Sequence, residues 1–70
     1  MEILSQRLLE LRKERRLSRK AVSEQVNIAE RSYQRYEEAE REPTASVLAT
    51  LADFYGVTAD YLLGRTDKRT

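Results

Sequence analysis

The stretch from Leu17 to Glu37, LSRKAVSEQVNIAERSYQRYE, restricts the fold of this 70-residue chain more than any other segment. Apolar residues recur at helical spacing on both sides of Asn27, and those on the far side, Tyr33 and Tyr36, are expected to turn inward. Asparagine tolerates the left-handed backbone conformation that ends many helices. The pattern therefore predicts two short helices joined by a turn at residues 27–29, a layout in which the second helix can be presented to a groove of DNA.

Capping residues indicate where these two helices begin. Ser18 is a predicted N-cap, and Leu17 before it can pack against Val22 as a hydrophobic staple. The second helix of this pair, expected over residues 30–38, is helix 3 of the whole chain and starts less favourably, while the first of the pair is helix 2. Ala29 stands where serine or threonine is usual, so this helix start should be less stable by about 1 kcal/mol than a capped one.

Three further helices complete an all-α prediction without strands. The first extends from near the N-terminus to about Arg15, the fourth is capped by Thr44 after Pro43 and stopped by Gly56, and the fifth ends at Gly64. Val57 and Thr58 repeat the staple and cap before the fifth helix. The residues expected to face inward on the first and fourth helices are Leu4, Leu8, Leu11, Leu48, Leu51 and either Phe54 or Tyr55.

Composition excludes several classes of protein. A chain of 70 residues makes one domain that buries only roughly 60% of its unfolded surface, which leaves no room for a deep cleft or a small-molecule pocket. Cysteine and histidine are absent, so neither a disulfide framework nor the usual metal ligands are available. No apolar run approaches the roughly 20 residues that span a bilayer. With no glycine-rich phosphate loop either, we expect a cytoplasmic protein that is not an enzyme, with no cofactor, metal or membrane partner.

The net charge of +1 conceals an uneven distribution. Residues 1–20 carry seven basic and three acidic side chains, a net charge of +4, whereas residues 21–43 carry three basic and six acidic ones, a net charge of −3. Modules that bind nucleic acid usually have a stronger positive field, because neutralising phosphates supplies most non-specific affinity. The acidic middle segment therefore argues for an alternative, a protein-interaction module.

Four sequence strings make the chain resemble a known family, the phage-repressor-like helix-turn-helix regulators of the xenobiotic-response-element type. They are LRKERRLS, RYE at residues 35–37, the ERxP pattern at residues 40–43, and LADFYGVTADYLLG near the C-terminus. The resemblance covers roughly residues 3–64. It implies a compact five-helix, lambda-repressor-like domain over residues 1–64 that binds operator DNA, usually as a dimer, with helix 3 in the major groove. Residues 65–70 are expected to form a frayed polar tail.

The resemblance also shows where this chain departs from the family. Arg16, Asn27 and Ala39 stand where the family commonly has glycine, and Arg19 replaces a usual glutamine. Ala29 replaces the capping serine. Glu30 and Glu38 occupy positions that are often basic or polar. The two glutamates weaken the electrostatic argument for DNA binding.

The candidate DNA contacts fall into two groups. Arginine can donate two hydrogen bonds to guanine and glutamine can form two with adenine, while Glu30 could accept one from cytosine. The base-reading candidates are Glu30, Arg31, Gln34 and Arg35. The phosphate-binding candidates lie in the first turn of helix 2 and in the loop after helix 3. They are Ser18, Arg19, Lys20 and Arg41.

Other prominent side chains receive structural roles. The resemblance implies that Arg12 and Glu37 form an ion pair joining helix 1 to helix 3. Tyr33 and Tyr36 are expected to pack in the core rather than stack on bases.

These observations predict a sequence-specific binder of double-stranded DNA that regulates transcription, most simply as a repressor. The alternative is an antitoxin-like or antirepressor partner built on the same fold. A weak homodimer is expected, with apolar area from Tyr55, Tyr61 and Leu63 near helix 5 as its surface.

Overall fold

Five helices follow the predicted order in the computed structural model, which describes residues 2–70. They are α1 (Glu2–Glu14), α2 (Arg19–Val26), α3 (Glu30–Glu37), α4 (Ala45–Tyr55) and α5 (Ala59–Leu62). No strand occurs within the described residues. Nor is any helix among them long and apolar enough to cross a membrane. The all-α, five-helix prediction is confirmed.

Hydroxyl caps fix the starts of three helices. Ser18, Thr44 and Thr58 each accept a hydrogen bond from the backbone N–H three residues later, at 3.0, 3.3 and 3.0 Å respectively. Asn27 and Gly56 end α2 and α4 in the left-handed conformation. These local signals explain why the helix boundaries lie within about one residue of those expected from the sequence.

Each helix contributes one fully buried side chain to a single core. They are Leu8, Val22, Tyr33, Leu51 and Leu62, in chain order. Burying an apolar side chain of this size stabilises a fold by about 1.5–3 kcal/mol, so these five residues supply a large part of the driving force. Tyr36 of α3 and Tyr55 of α4 are also buried, and the burial of Tyr33 and Tyr36 confirms that the tyrosines of α3 face inward.

Among residues 2–70, three residues other than glycine adopt the left-handed conformation. Arg16, Asn27 and Ala39 have φ of 56°, 58° and 59°. These are the positions at which the family commonly has glycine, so the chain keeps the backbone path without the residue that favours it. Asparagine is tolerated there, but the left-handed conformation costs other L-residues about 1–2 kcal/mol.

Arginines of α1 bind backbone carbonyls elsewhere in the fold. Arg15 donates to the carbonyl oxygens of Phe54 and Tyr55 at 2.9 and 2.7 Å, where the last carbonyls of α4 have no partner within the helix. Arg7 donates to the carbonyl of Tyr61 in α5. Two of the positive charges in residues 1–20 therefore bind carbonyls near the C-terminal ends of helices and are not left as free charges that attract DNA.

Residues 65–70, expected to form a frayed polar tail, contact the rest of the fold at several points. The carbonyl of Arg69 accepts from the backbone N–H of Thr58 at 2.8 Å, and the Arg69 guanidinium donates to both carboxylate oxygens of Glu14 at 2.8 and 2.6 Å. Arg7 also holds the tail, through the Thr66 carbonyl and the Asp67 carboxylate, both at 2.8 Å. The composition of the tail is polar, but its partners lie on α1, far away in sequence, and at Thr58 before α5.

The tyrosines proposed as an exposed dimer surface are part of the monomer core. Tyr55 and Tyr61 are 2% and 6% exposed. The guanidinium carbons of Arg7 and Arg69 lie 4.1 and 5.5 Å from the centre of the Tyr61 ring and help to cover it. Of the three predicted residues, only Leu63 stays half-buried. The predicted dimer surface is therefore wrong for both tyrosines.

The start of α3 offers a test of the capping argument. Ala29 has the extended backbone of an N-cap, φ −66° and ψ 139°, but no side chain to accept a hydrogen bond. Ala29→Ser should therefore raise the free energy of unfolding by about 1 kcal/mol and the melting temperature by roughly 4–8 °C. Thermal unfolding followed by circular dichroism measures this. Ala45→Ser is the control, because α4 is already capped by Thr44, and equal shifts in both variants would contradict the interpretation.

Candidate nucleic-acid interface

The turn between α2 and α3 sets the direction of the second helix. Asn27 ends α2 with its N–H bonded to the carbonyl of Ser23, and the N–H of Ile28 donates to the same carbonyl at 3.0 Å. Ile28 packs against the core, and Ala29 then leads the extended chain into α3. α3 packs against both α1 and α2 through its tyrosines, so its opposite face lies outward.

The outward face of α3 brings the four base-reading candidates together. Glu30, Arg31, Gln34 and Arg35 line one open groove with Glu38 and Glu40. Within residues 2–70, the guanidinium groups of Arg31 and Arg35 have no hydrogen-bond or ion-pair partner. Their guanidinium donors are therefore available to an acceptor outside the chain. Gln34 differs, because its Nε2 donates to Glu38 Oε2 at 3.3 Å.

The phosphate-binding candidates divide into free and paired side chains. Lys20 and Arg41 are exposed, and neither side chain has a partner among the described residues. Ser18 caps α2, so its hydroxyl accepts from Ala21 and its proton stays free to donate. Arg19 is the paired candidate, because its Nε donates to Glu37 Oε1 at 3.1 Å and its Nη1 lies 3.8 Å from Glu38 Oε2.

Arg12 and Glu37 join α1 to α3 beneath this surface. Arg12 Nε and Nη2 donate to the two carboxylate oxygens of Glu37 at 2.7 and 3.0 Å, a bidentate pair. Arg12 Nη1 donates to the carbonyl of Leu17 at 2.9 Å, which ties the same guanidinium to the residue before the α2 cap. The Glu37 side chain has no solvent exposure and that of Arg12 has 15%. The pair thus fixes the helix-turn-helix unit to α1.

Hydrogen bonds keep the buried carboxylate charged. Burial alone would raise the pKa of Glu37, but hydrogen bonds from Arg12, Tyr33 and Arg19 outweigh it and lower that pKa. The hydroxyls of Tyr33 and Tyr55 lie 2.6 Å apart and extend this polar chain into the core. Burial, and then hydrogen bonding with Glu37 and Tyr55, raises the pKa of Tyr33. Its phenol therefore stays protonated and can donate.

The lowered pKa of Glu37 predicts a loss of stability in acid. A carboxylate whose pKa is lower in the folded than in the unfolded state stabilises the fold fully above the unfolded pKa, about 4.3, and loses this effect as pH falls through the folded pKa. The melting temperature should accordingly decrease below about pH 4. Glu37→Gln should lower it at neutral pH and flatten this part of the profile.

Glu24→Gln, an exposed change of equal charge on α2, is the control for that measurement. Because Glu37 is buried, the acid loss should persist in high salt, where exposed charges are screened. An acid profile that is the same for Glu37→Gln and for the parent protein would reject the assignment.

Two short helices joined by a tight turn, the second with an outward polar face, define a helix-turn-helix DNA-binding domain. The helix-turn-helix family model matches residues 8–62. The chain belongs to this family, in its phage-repressor-like, xenobiotic-response-element form. The prediction from the sequence strings is confirmed, and the family is one of DNA-binding transcriptional regulators rather than enzymes.

Three curated relatives come from Bacillus subtilis (strain 168). The chain is 42% identical over 62 residues to the uncharacterized HTH-type transcriptional regulator YobD, 40% over 63 residues to the HTH-type transcriptional regulator AnsR, and 34% over 64 residues to the HTH-type transcriptional regulator ImmR. These alignments cover 89%, 90% and 91% of this chain and 55%, 54% and 50% of the relatives. The chain thus spans about half the length of the relatives it matches. No solved structure matches it significantly.

Sequence reasoning missed Glu38 at this interface and two arginines elsewhere in the fold. It did not assign Glu38 any contact, although this carboxylate touches both a base-reading and a phosphate-binding candidate. It also gave Arg7 and Arg15 no structural role. Among residues 2–70, no group of three or more histidine, cysteine, aspartate or glutamate side chains is placed to hold a metal ion.

Proposed function

We propose that this domain binds a specific sequence of double-stranded DNA with α3 in the major groove, and that it acts as a transcriptional repressor by occluding a promoter. The observation that carries the proposal is the pair of unpartnered arginines, Arg31 and Arg35, in the groove on the outer face of α3. Arginine donating to guanine is the commonest specific contact in the major groove. The names of the curated relatives, all HTH-type transcriptional regulators, agree with this function.

The remaining contacts follow from exposure and charge. Gln34 and Glu30 would read adenine and cytosine beside the two arginines. Ser18, Arg19, Lys20 and Arg41 would bind phosphates and fix the position of α3 without reading sequence. The cytoplasm is the proposed site of action, since bacterial DNA lies there and the curated relatives are bacterial.

Selection from random duplexes tests the proposal. Repeated gel-shift selection at low salt should enrich a short sequence, and the enriched duplex should bind far better than a scrambled one. The competing function is a protein-interaction module, which the three glutamates in the groove, Glu30, Glu38 and Glu40, favour. Failure to retain any duplex at low salt would support that module and reject the proposal.

A weak homodimer is part of the same proposal. A domain with few phosphate contacts gains affinity by pairing, and a two-fold dimer reads half-sites about 34 Å apart. Sedimentation should show a monomer–dimer equilibrium in the free protein and two copies on an enriched duplex of palindromic sequence. Strict monomers in both measurements would remove the dimer from the proposal and leave the base-reading role intact.

A further inference from the structure

Glu38 links one candidate of each class of DNA contact. Its Oε2 accepts a hydrogen bond from Gln34 Nε2 at 3.3 Å and lies 3.8 Å from Arg19 Nη1. Gln34 is a base-reading candidate on α3, and Arg19 is a phosphate-binding candidate in the first turn of α2. A single carboxylate oxygen therefore holds side chains that the proposed function assigns to the DNA.

Glu38 differs from its neighbour Glu37 in exposure. The Glu37 side chain is fully buried and belongs to the scaffold, whereas 37% of the Glu38 side chain is exposed and it lines the groove on α3. Exposed ion pairs contribute little to stability, so Glu38 can release its partners at small cost. Its removal should leave the fold intact.

The two glutamates together neutralise the Arg19 guanidinium. Its Nε is bound by Glu37 and its Nη1 faces Glu38, so a phosphate that takes Arg19 must compete with carboxylates of the same charge. Lys20, the next residue, has no such partner in the described chain. The competition is thus specific to one of the two basic residues at the start of α2.

We infer that Glu38 is an internal competitor for DNA, a residue that lowers affinity by holding Arg19 and Gln34 until phosphate and base displace it. The inference rests on the proposed function and adds a regulating residue to the same interface. Because phosphates carry no sequence information, the effect should be felt on every duplex. Glu38 therefore weakens non-specific binding, which holds a regulator at sites other than its specific one.

Two charge-matched variants test the inference. Glu38→Gln removes the carboxylate and keeps an acceptor for Gln34. Glu40→Gln removes an equal charge from the same groove, at a residue with no side-chain partner among residues 2–70. Dissociation constants are measured on the enriched duplex and on its scrambled form, at several salt concentrations. Glu38→Gln should tighten binding to both duplexes about 2- to 5-fold more than Glu40→Gln does.

A double-mutant cycle tests whether the extra gain in DNA affinity from Glu38→Gln depends on Arg19. Arg19→Gln keeps a neutral donor, and in this background Glu38→Gln should gain no more than Glu40→Gln. In the parent background, Glu38→Gln should also steepen the dependence of log K on log salt by a fraction of the roughly 0.9 expected for one phosphate, because Arg19 already contacts phosphate in part. Equal gains from both glutamate variants, or an extra gain that survives Arg19→Gln, would overturn the inference and leave the proposed function standing. A parent protein that binds no duplex overturns both.

Discussion

Glu37→Ala should lower the free energy of unfolding by about 3–5 kcal/mol and leave most of the protein unfolded at room temperature. The substitution removes a fully buried carboxylate and leaves the Arg12 guanidinium, 15% exposed, without its bidentate partner. A single core below about 70–80 residues rarely supplies more than about 3–5 kcal/mol, so no reserve remains. Circular dichroism and thermal unfolding measure the loss.

Two variants separate the cause of this loss from a general effect of losing charge. Glu38→Ala, one residue later and exposed, should leave the melting temperature nearly unchanged. Arg12→Met combined with Glu37→Leu should recover part of the stability, because the cost comes from an unpaired buried charge rather than from the absence of an ion pair. A melting temperature unchanged by Glu37→Ala would show that the pair does not hold the fold together.

The helices could be predicted because their signals are local. Ser18, Thr44 and Thr58 cap the helices that follow them, and the left-handed residues Asn27 and Gly56 end α2 and α4. Each signal acts within four residues of the atoms it satisfies, and the hydrophobic spacing supplies the inward face. The structure therefore differs little from the expectation in helix number, order and bounds.

The contacts of the long arginine side chains could not be predicted from such local signals. Arg15 reaches carbonyls 39 and 40 residues away, and Arg69 reaches a carboxylate 55 residues away. Neither helical spacing nor composition indicates which carbonyl lies beside a given guanidinium after folding. The same reason explains why the contacts of the tail and the burial of Tyr61 were not predicted, since both depend on arginines that pack over the aromatic ring.

The groove on the outer face of α3 was predictable from the sequence, but the pairing of the side chains around it was not. Helical spacing and the family resemblance placed Glu30, Arg31, Gln34 and Arg35 on one face, and the structure brings them into one groove. Nothing in the sequence indicated that Arg19 would turn toward Glu37 and Glu38. That choice depends on the short distance between the start of α2 and the end of α3, which only the folded turn creates.

Arg35→Ala and Arg19→Ala should leave different signatures on DNA binding. If Arg35 donates two hydrogen bonds to guanine, its loss should cost about 1–3 kcal/mol on the preferred site and relax selectivity at one base pair. Arg19→Ala should weaken binding to all sequences alike and flatten the salt dependence by about one phosphate. Dissociation constants for the enriched duplex and for each single-base variant, at two or more salt concentrations, distinguish the two outcomes.

Glu30→Gln completes this comparison, because Glu30 is an exposed acidic residue in the first turn of α3. If the carboxylate accepts from cytosine, its replacement should reduce selectivity. If it only repels phosphates, non-specific binding should strengthen without a change in preference. Lys13→Ala, on an exposed part of α1 away from the groove, should bind as the parent does and serves as the control. Should Arg35→Ala, Arg19→Ala and Glu30→Gln all bind every duplex as the parent protein does, α3 is not the reading helix of this domain and its groove belongs to a protein partner.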